Sequence, residues 1–267
     1  MPLHPRDLSA RTWPDVAAID KRTAIVLQPI GATEQHGRHL PLATDYLVAA
    51  HTAAQAVTAA GDELDLWLLP TLAYGKSTEH LDFPGTITLS TETLLAVLDD
   101  VGRSVARAGF RKLCFVNGHG GNSALLQVAN REIRLRHGLM VFTLHPHLPP
   151  DQGNVAPTPP AEQGMSIHAG YAETSALLAI APELVHMDRA VAGVPGWLAE
   201  NQSVRFGGAT SFGWTAADFS PDGVIGDPAG ADAAVGEKDI ASMVAGLVAA
   251  LREVASFELR EMPYTTS

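Results

Sequence analysis

The sequence predicts an α/β fold: a three-layer α/β/α sandwich around a mostly parallel central sheet, in a single domain across residues 1–267 with its core at about 20–255. Three observations carry that expectation. Short apolar runs such as Ala24-Ile25-Val26-Leu27 have the length and β-branched character of strands buried on both faces. Stretches of helical periodicity separate these runs, and such alternation favours parallel crossovers that cover the sheet on both sides. No internal repeat, low-complexity tract or linker divides the chain.

Taken in order, residues 7–20 form a short amphipathic lead-in to the first strand. An alanine-rich helix follows over 43–60, with Gly61 as its expected stop. A second strand is expected over 64–73, ending by Gly75, and Pro84-Gly85 marks a turn in the loop beyond it. Ser90 caps a helix over 91–108. Residues 111–116 make a third strand, 123–136 a helix and 139–144 a fourth strand. A long loop rich in Pro, Gly and Gln spans 146–164. A helix over 171–179 stops near Pro182, residues 192–232 are irregular, and a last helix covers 233–254.

Composition narrows the function classes. A net charge of -11, from 18 basic and 29 acidic residues, argues against binding a nucleic-acid backbone. No apolar run is long enough for a membrane span, and the N-terminus lacks the pattern of a secretory signal, so a soluble cytoplasmic protein is expected. The single cysteine, Cys114, lies inside the third strand as a small buried hydrophobe and excludes an intrachain disulfide.

Chemistry concentrates in three segments. Beyond the first strand, the chain reads Glu34-Gln35-His36-Gly37-Arg38-His39-Leu40-Pro41-Leu42-Ala43-Thr44-Asp45. Ligands collect beyond the carboxyl ends of strands in such sheets, and side chains two apart on an extended segment share a face. Glu34, His36 and Asp45 therefore look like part of a metal site, although turn residues plus a capping Asp would leave the same pattern. Beyond the third strand comes Asn117-Gly118-His119-Gly120-Gly121-Asn122, whose glycines allow close backbone approach. It lacks both the ending of a P-loop and the spacing of a dinucleotide fingerprint. The third segment, Ser166 to Ser175, places His168 before a helix and Glu173 in its first turn. A carboxylate is also favoured there by the helix dipole alone.

Together these segments resemble the creatininase (creatinine amidohydrolase) family, whose signature blocks all occur here in order. Phe83-Pro84-Gly85-Thr86 and Gly223-Val224-Ile225-Gly226-Asp227-Pro228 match its lesser motifs. The resemblance implies a site for two divalent metal ions, held by Glu34, His36, Asp45, His119 and Glu173 with Asp45 as the bridge. Oxygen and imidazole donors without thiolate suit Zn, Mn or Fe, and two cations would offset the repulsion of three clustered carboxylates. Water activated between such ions becomes the nucleophile. His168 matches the family's non-ligand histidine, suited to stabilise the tetrahedral intermediate or protonate the leaving nitrogen. His168 and Glu173 are the expected catalytic residues. His39 is expected to orient a ligand, and His80, Asp82, Gly120 and Gly121 to line the substrate pocket. Trp214 and Asp218 are candidates to cover it. His51, His137, His145, His147 and His186 show no partner pattern.

One departure bears on the substrate. Creatinine-hydrolysing members carry Tyr-Glu, its Glu a metal ligand, where this chain has Gly120-Gly121, and they carry tryptophans near the His-Ala-Gly segment that this chain lacks. Glu173 is the expected replacement ligand. The Gly-Gly form resembles relatives that deformylate pyrimidine formamides or trim a short precursor peptide. The expected activity is hydrolysis of a C–N bond in a small amide, cyclic amide or formamide. The alternatives are a peptidase acting on a short precursor peptide and a catalytically silent metal-binding or regulatory protein. The resemblance also implies a homo-oligomer, often a hexamer.

Overall fold

The computed structural model describes residues 3–146 and 159–259. Four strands form one parallel sheet in the order β2-β1-β3-β4: β1 (Ile25–Ile30), β2 (Leu66–Leu68), β3 (Lys112–Asn117) and β4 (Met140–Leu144). Ile25 lies opposite Leu66 on one side and Lys112 on the other, and Lys112 lies opposite Met140. Every residue of β1 and β3 is buried, and apart from Gln28, Lys112 and Asn117 their side chains are apolar.

Successive strand residues point to opposite faces and so build two cores. Ile25, Leu27, Cys114 and Val116 pack with α2 (Thr44–Leu64) and the long α7 (Ala233–Ser256). Val26, Ile30, Leu113 and Phe115 pack on the other face with α3 (Thr91–Arg107) and α4 (Ser123–His137). The three layers are therefore present, and the helices of each outer layer follow the strands in sequence. The short α1 (Trp13–Ala18) precedes β1, and α5 (Tyr171–Ile180) joins α2 and α7 through Val48, Ala176, Leu177 and Met243. The irregular stretch near 200 holds α6 (Gly196–Ala199). Lys112 is buried, and its Nζ donates to the carbonyls of Val254 and Ala255 in the last turn of α7.

Two boundaries differ from expectation. Helix α2 runs through Gly61 to Leu64 and ends at Asp65, which takes the left-handed conformation at φ 51°. Gly61 serves packing instead: a Cβ there would stand 2.9 Å from Cδ of Arg6, whose guanidinium pairs with Asp62 and Asp65. Strand β2 closes after three residues because Pro70 lacks the N–H a ladder needs, although Leu72 regains pairing with β1. Of the long loop expected at 146–164, residues 147–158, with His147, lie outside the described residues.

Two glycines bring the catalytic edge together. A Cβ on Gly31, just past β1, would lie 2.4 Å from the backbone nitrogen of Tyr46, and one on Gly118, just past β3, 2.5 Å from the carbonyl oxygen of Asp45. Only bare backbone lets the first turn of α2 rest against both strand ends. Asp45 is thereby set in the crevice beyond the sheet.

Candidate metal centre

Glu34 and His36 leave β1 on an extended segment, as their spacing predicts, and both are buried. Asp45 arrives from α2, and His119 from the turn after β3. Asp45 lies between two imidazoles, with Oδ1 3.0 Å from Nε2 of His36 and Oδ2 2.9 Å from Nδ1 of His119. Glu34 Oε2 lies 3.3 Å from Nε2 of His119. Glu173, in the first turn of α5, brings Oε2 to 3.9 Å from Nε2 of His36 while accepting a hydrogen bond from the Ala169 N–H, so it holds the segment entering α5 and faces the cluster at once.

Two groups share Asp45. Glu34, Asp45 and His119 each offer a ligand atom within 4.8 Å of the others, and so do His36, Asp45 and Glu173. A third group joins Glu34, His36 and His168. Glu34 Oε2, His36 Nε2 and Asp45 Oδ2 are buried without a hydrogen-bond partner among the described residues. Buried polar atoms are rarely left so, and divalent ions that take oxygen and imidazole donors would satisfy them. The residues fit a metal.

Charge reinforces that fit. Burial and the Asp45 charge push Glu34 up to about 8. Burial alone would suppress charge on His36 and His119, but the surrounding carboxylates outweigh it, raising His36 to about 9 through Asp45 first and His119 to about 10 through Glu34 and Asp45. Burial raises Asp45 too, yet His36 and His119 together bring it below the usual carboxylate range. Without metal, the cluster thus recruits protons onto its imidazoles to balance its carboxylates.

The neighbouring histidines are tuned the other way. Burial and the charges of His36 and His119 lower His80 to about 3, and burial and His36 lower His168 and bring His39 to about 4. Nε2 of His168 lies 2.6 Å from the carbonyl oxygen of Gln35, which can only accept, so the proton sits on Nε2. That leaves the Nδ1 lone pair facing Oε1 of Glu34 at 3.6 Å. The ring stacks between His36 and His80, with centroids 4.1 and 4.2 Å away.

A cavity of about 300 Å³ opens over the cluster, its lining including His119, Gly120, His145, His168 and Glu173. Of the residues expected to line it, Gly120 does, and a Cβ there would meet nothing within 4 Å. Gly121 instead lies tight against Lys76, Glu79 and His119. His80 is buried with Nε2 3.4 Å from Oε1 of Glu34, so it touches the ligand shell, while Asp82 is exposed and outside the cavity lining. His39 holds the Thr174 hydroxyl at 3.0 Å, beside Glu173. Trp214 packs edge-on to Phe206 and Phe219, and Asp218 accepts from the Thr215 N–H. His145, without a partner pattern in sequence, borders the cavity.

Several supporting residues carry no sequence signal of their own. Gln35 donates toward Nδ1 of His80 at 2.8 Å and the Gly223 carbonyl at 3.0 Å, and its Oε1 accepts from the Gly37 N–H. It holds the His80 ring that lies against Glu34, a role set by partners remote in sequence. Asn122 bridges the Lys76 N–H and the Gly31 carbonyl, tying the second loop to both strand ends. Glu162, from the loop before α5, is buried and accepts from the N–H groups of Tyr171 and Asp227.

The creatininase family profile, described as creatinine amidohydrolase, matches residues 9–251. The mycofactocin precursor peptide peptidase of Mycobacterium ulcerans (strain Agy99) is 40% identical over 87% of this chain and 82% of its own length. The creatinine amidohydrolase of Pseudomonas putida is 30% identical over 67% of this chain and 74% of its own. A solved structure titled Creatininase Mn superposes with a TM-score of 0.72 at 27% identity, covering 94% of this chain and 99% of that one.

Proposed function

This chain belongs to the creatininase family of hydrolases, and from that premise we propose that it is a dinuclear metal-dependent hydrolase cutting an amide C–N bond in a short peptide. The observation carrying the chemistry is the buried cluster in which Asp45 is common to Glu34–His119 and His36–Glu173. In this reading Glu34, Asp45 and His119 hold one ion, and His36, Asp45 and Glu173 the other. Two divalent ions, Zn, Mn or Fe, supply an acidified water and a Lewis acid for the amide carbonyl.

The protein's own groups do the rest. Water oxygen adds to the carbonyl carbon, the C–N bond breaks, and the departing nitrogen needs a proton. His168 would relay one: its Nε2 proton stays with the Gln35 carbonyl, its neutral Nδ1 beside Glu34 takes the proton that the attacking water gives up, and the same Nδ1 delivers that proton to the departing nitrogen. Two features favour a peptide over a small cyclic amide. Gly120 leaves open space at the cavity edge where creatinine-hydrolysing members are expected to carry a tyrosine, and the relatives at 40% identity are named peptidases.

The test is product analysis by mass spectrometry after incubating metal-reconstituted protein with short peptides, N-formyl compounds and cyclic amides. Cleavage of peptides with water added across one amide is the expected result. Turnover confined to cyclic amides or formamides would return the site to a small-amide hydrolase. A loaded protein inert across the panel would point to the metal-binding or regulatory role.

Metal binding itself should depend on pH. His36 and His119 keep protons up to about 9 and 10 in the metal-free cluster, and an ion must displace them. Raising pH from 6.5 to 8.5 should therefore tighten zinc binding, by roughly tenfold per pH unit for each proton displaced. Competition against a chromophoric chelator reads this directly. Affinity that stayed flat with pH would remove both imidazoles from the ligand set.

A further inference from the structure

Gly121 is bare because three groups crowd the point where its Cβ would stand. Nε2 of His119 and the Lys76 carbonyl oxygen lie 2.4 Å from that point, and Oε1 of Glu79 lies 2.5 Å from it. A side chain at 121 and the present position of Glu79 exclude each other. Relatives that hydrolyse creatinine are expected to carry a carboxylate at this position. Here a carboxylate reaches the same spot from the loop after β2. We propose that Glu79 is a positioning carboxylate for His119, an inference that rests on the metal reading above.

The hydrogen bonds around His119 define its role. Nε2 lies 2.9 Å from the Lys76 carbonyl oxygen and 3.3 Å from the Ser77 hydroxyl. A backbone carbonyl accepts only, so the Nε2 proton points to it, and the proton an ion must displace is the one on Nδ1, which faces Asp45. Glu79 Oε1 stands 3.9 Å behind the Nε2–H, with its side chain 18% exposed. The Lys76 carbonyl fixes the tautomer, and the carboxylate charge behind the same N–H raises the basicity of the imidazole through space. The turn Thr78–His80 thereby serves the cluster twice, since His80 lies against Glu34 and Glu79 against His119.

The substitution Glu79→Gln keeps size and removes charge. Zinc titration of the full-length protein, with a chelator as competitor, should still reach the wild-type stoichiometry. One ion should be held about tenfold or more weakly, the scale for losing such a partner. Rescue separates positioning from bulk structure. Glu79→Asp keeps the charge on a shorter arm and should recover part of the zinc affinity that Glu79→Gln loses, while Glu79→Ala should lose at least as much as Glu79→Gln. Wild-type affinity in Glu79→Gln, or Glu79→Asp no better than Glu79→Gln, would overturn the assignment. His119→Ala is the control. If it leaves zinc binding untouched, the metal reading of the site fails, whereas loss of zinc there with none in Glu79→Gln refutes the role of Glu79 alone.

Discussion

Asp45→Asn should empty the cluster of both ions and reduce hydrolysis to the level of the metal-free protein. No other side chain belongs to both the Glu34–His119 group and the His36–Glu173 group, and its two oxygens are the ones lying nearest His36 and His119. Asparagine keeps the shape but offers one oxygen, without charge, to two sites. Metal contributes several kcal/mol of transition-state stabilisation, so the loss in rate should reach at least about 10³-fold. Glu173→Gln provides the contrast, because Glu173 stands at one group only; it should give up a single ion. Elemental analysis of both proteins, purified without chelator, distinguishes the cases. One ion bound at full strength in Asp45→Asn would mean that Asp45 does not bridge.

Much of this was legible in the sequence, for physical reasons. Strands β3 and β4 are found within a residue, and β1 starts within a residue of its expected start but runs on to Ile30, because strands packed inside the sheet are mostly apolar. The end of α2 was not, since Gly61 reads as a stop by conformational preference while its actual constraint is the Arg6 side chain lying against it. The strand end, the polar segment and the helix start around Asp45 were legible from local signatures, but the ligand set rested on the resemblance, because turn residues and a capping Asp leave the same pattern. Gln35, Asn122 and Glu162 were not, because each acts by hydrogen bonds to backbone remote in sequence. Position in a motif also says little about depth. His80 and Asp82 are two residues apart, yet one lies buried against Glu34 and the other in solvent.

His168→Ala should leave both ions in place and still cost roughly 10²-fold or more in turnover, the scale for a positioned acid, base or oxyanion group. His168 is not one of the two groups that share Asp45. It enters from the segment paired with Ile225, and its N–H is already given to Gln35. What it offers is a neutral imidazole whose Nδ1 faces the edge of the cluster. Burial and the charge on His36 hold it well below the usual histidine range, so it stays neutral at pH 7 and accepts a proton only as charge develops in the reaction. The nearness of its Nδ1 to Glu34 and His36 allows a competing outcome, in which His168 is itself a ligand. Metal content separates the two. If His168→Ala keeps its ions and loses rate, with KM little changed, the proton-transfer role stands. If it loses an ion in proportion to its rate, His168 joins the ligand set. If rate and metal both survive, His145, which borders the same cavity, is the next group to replace.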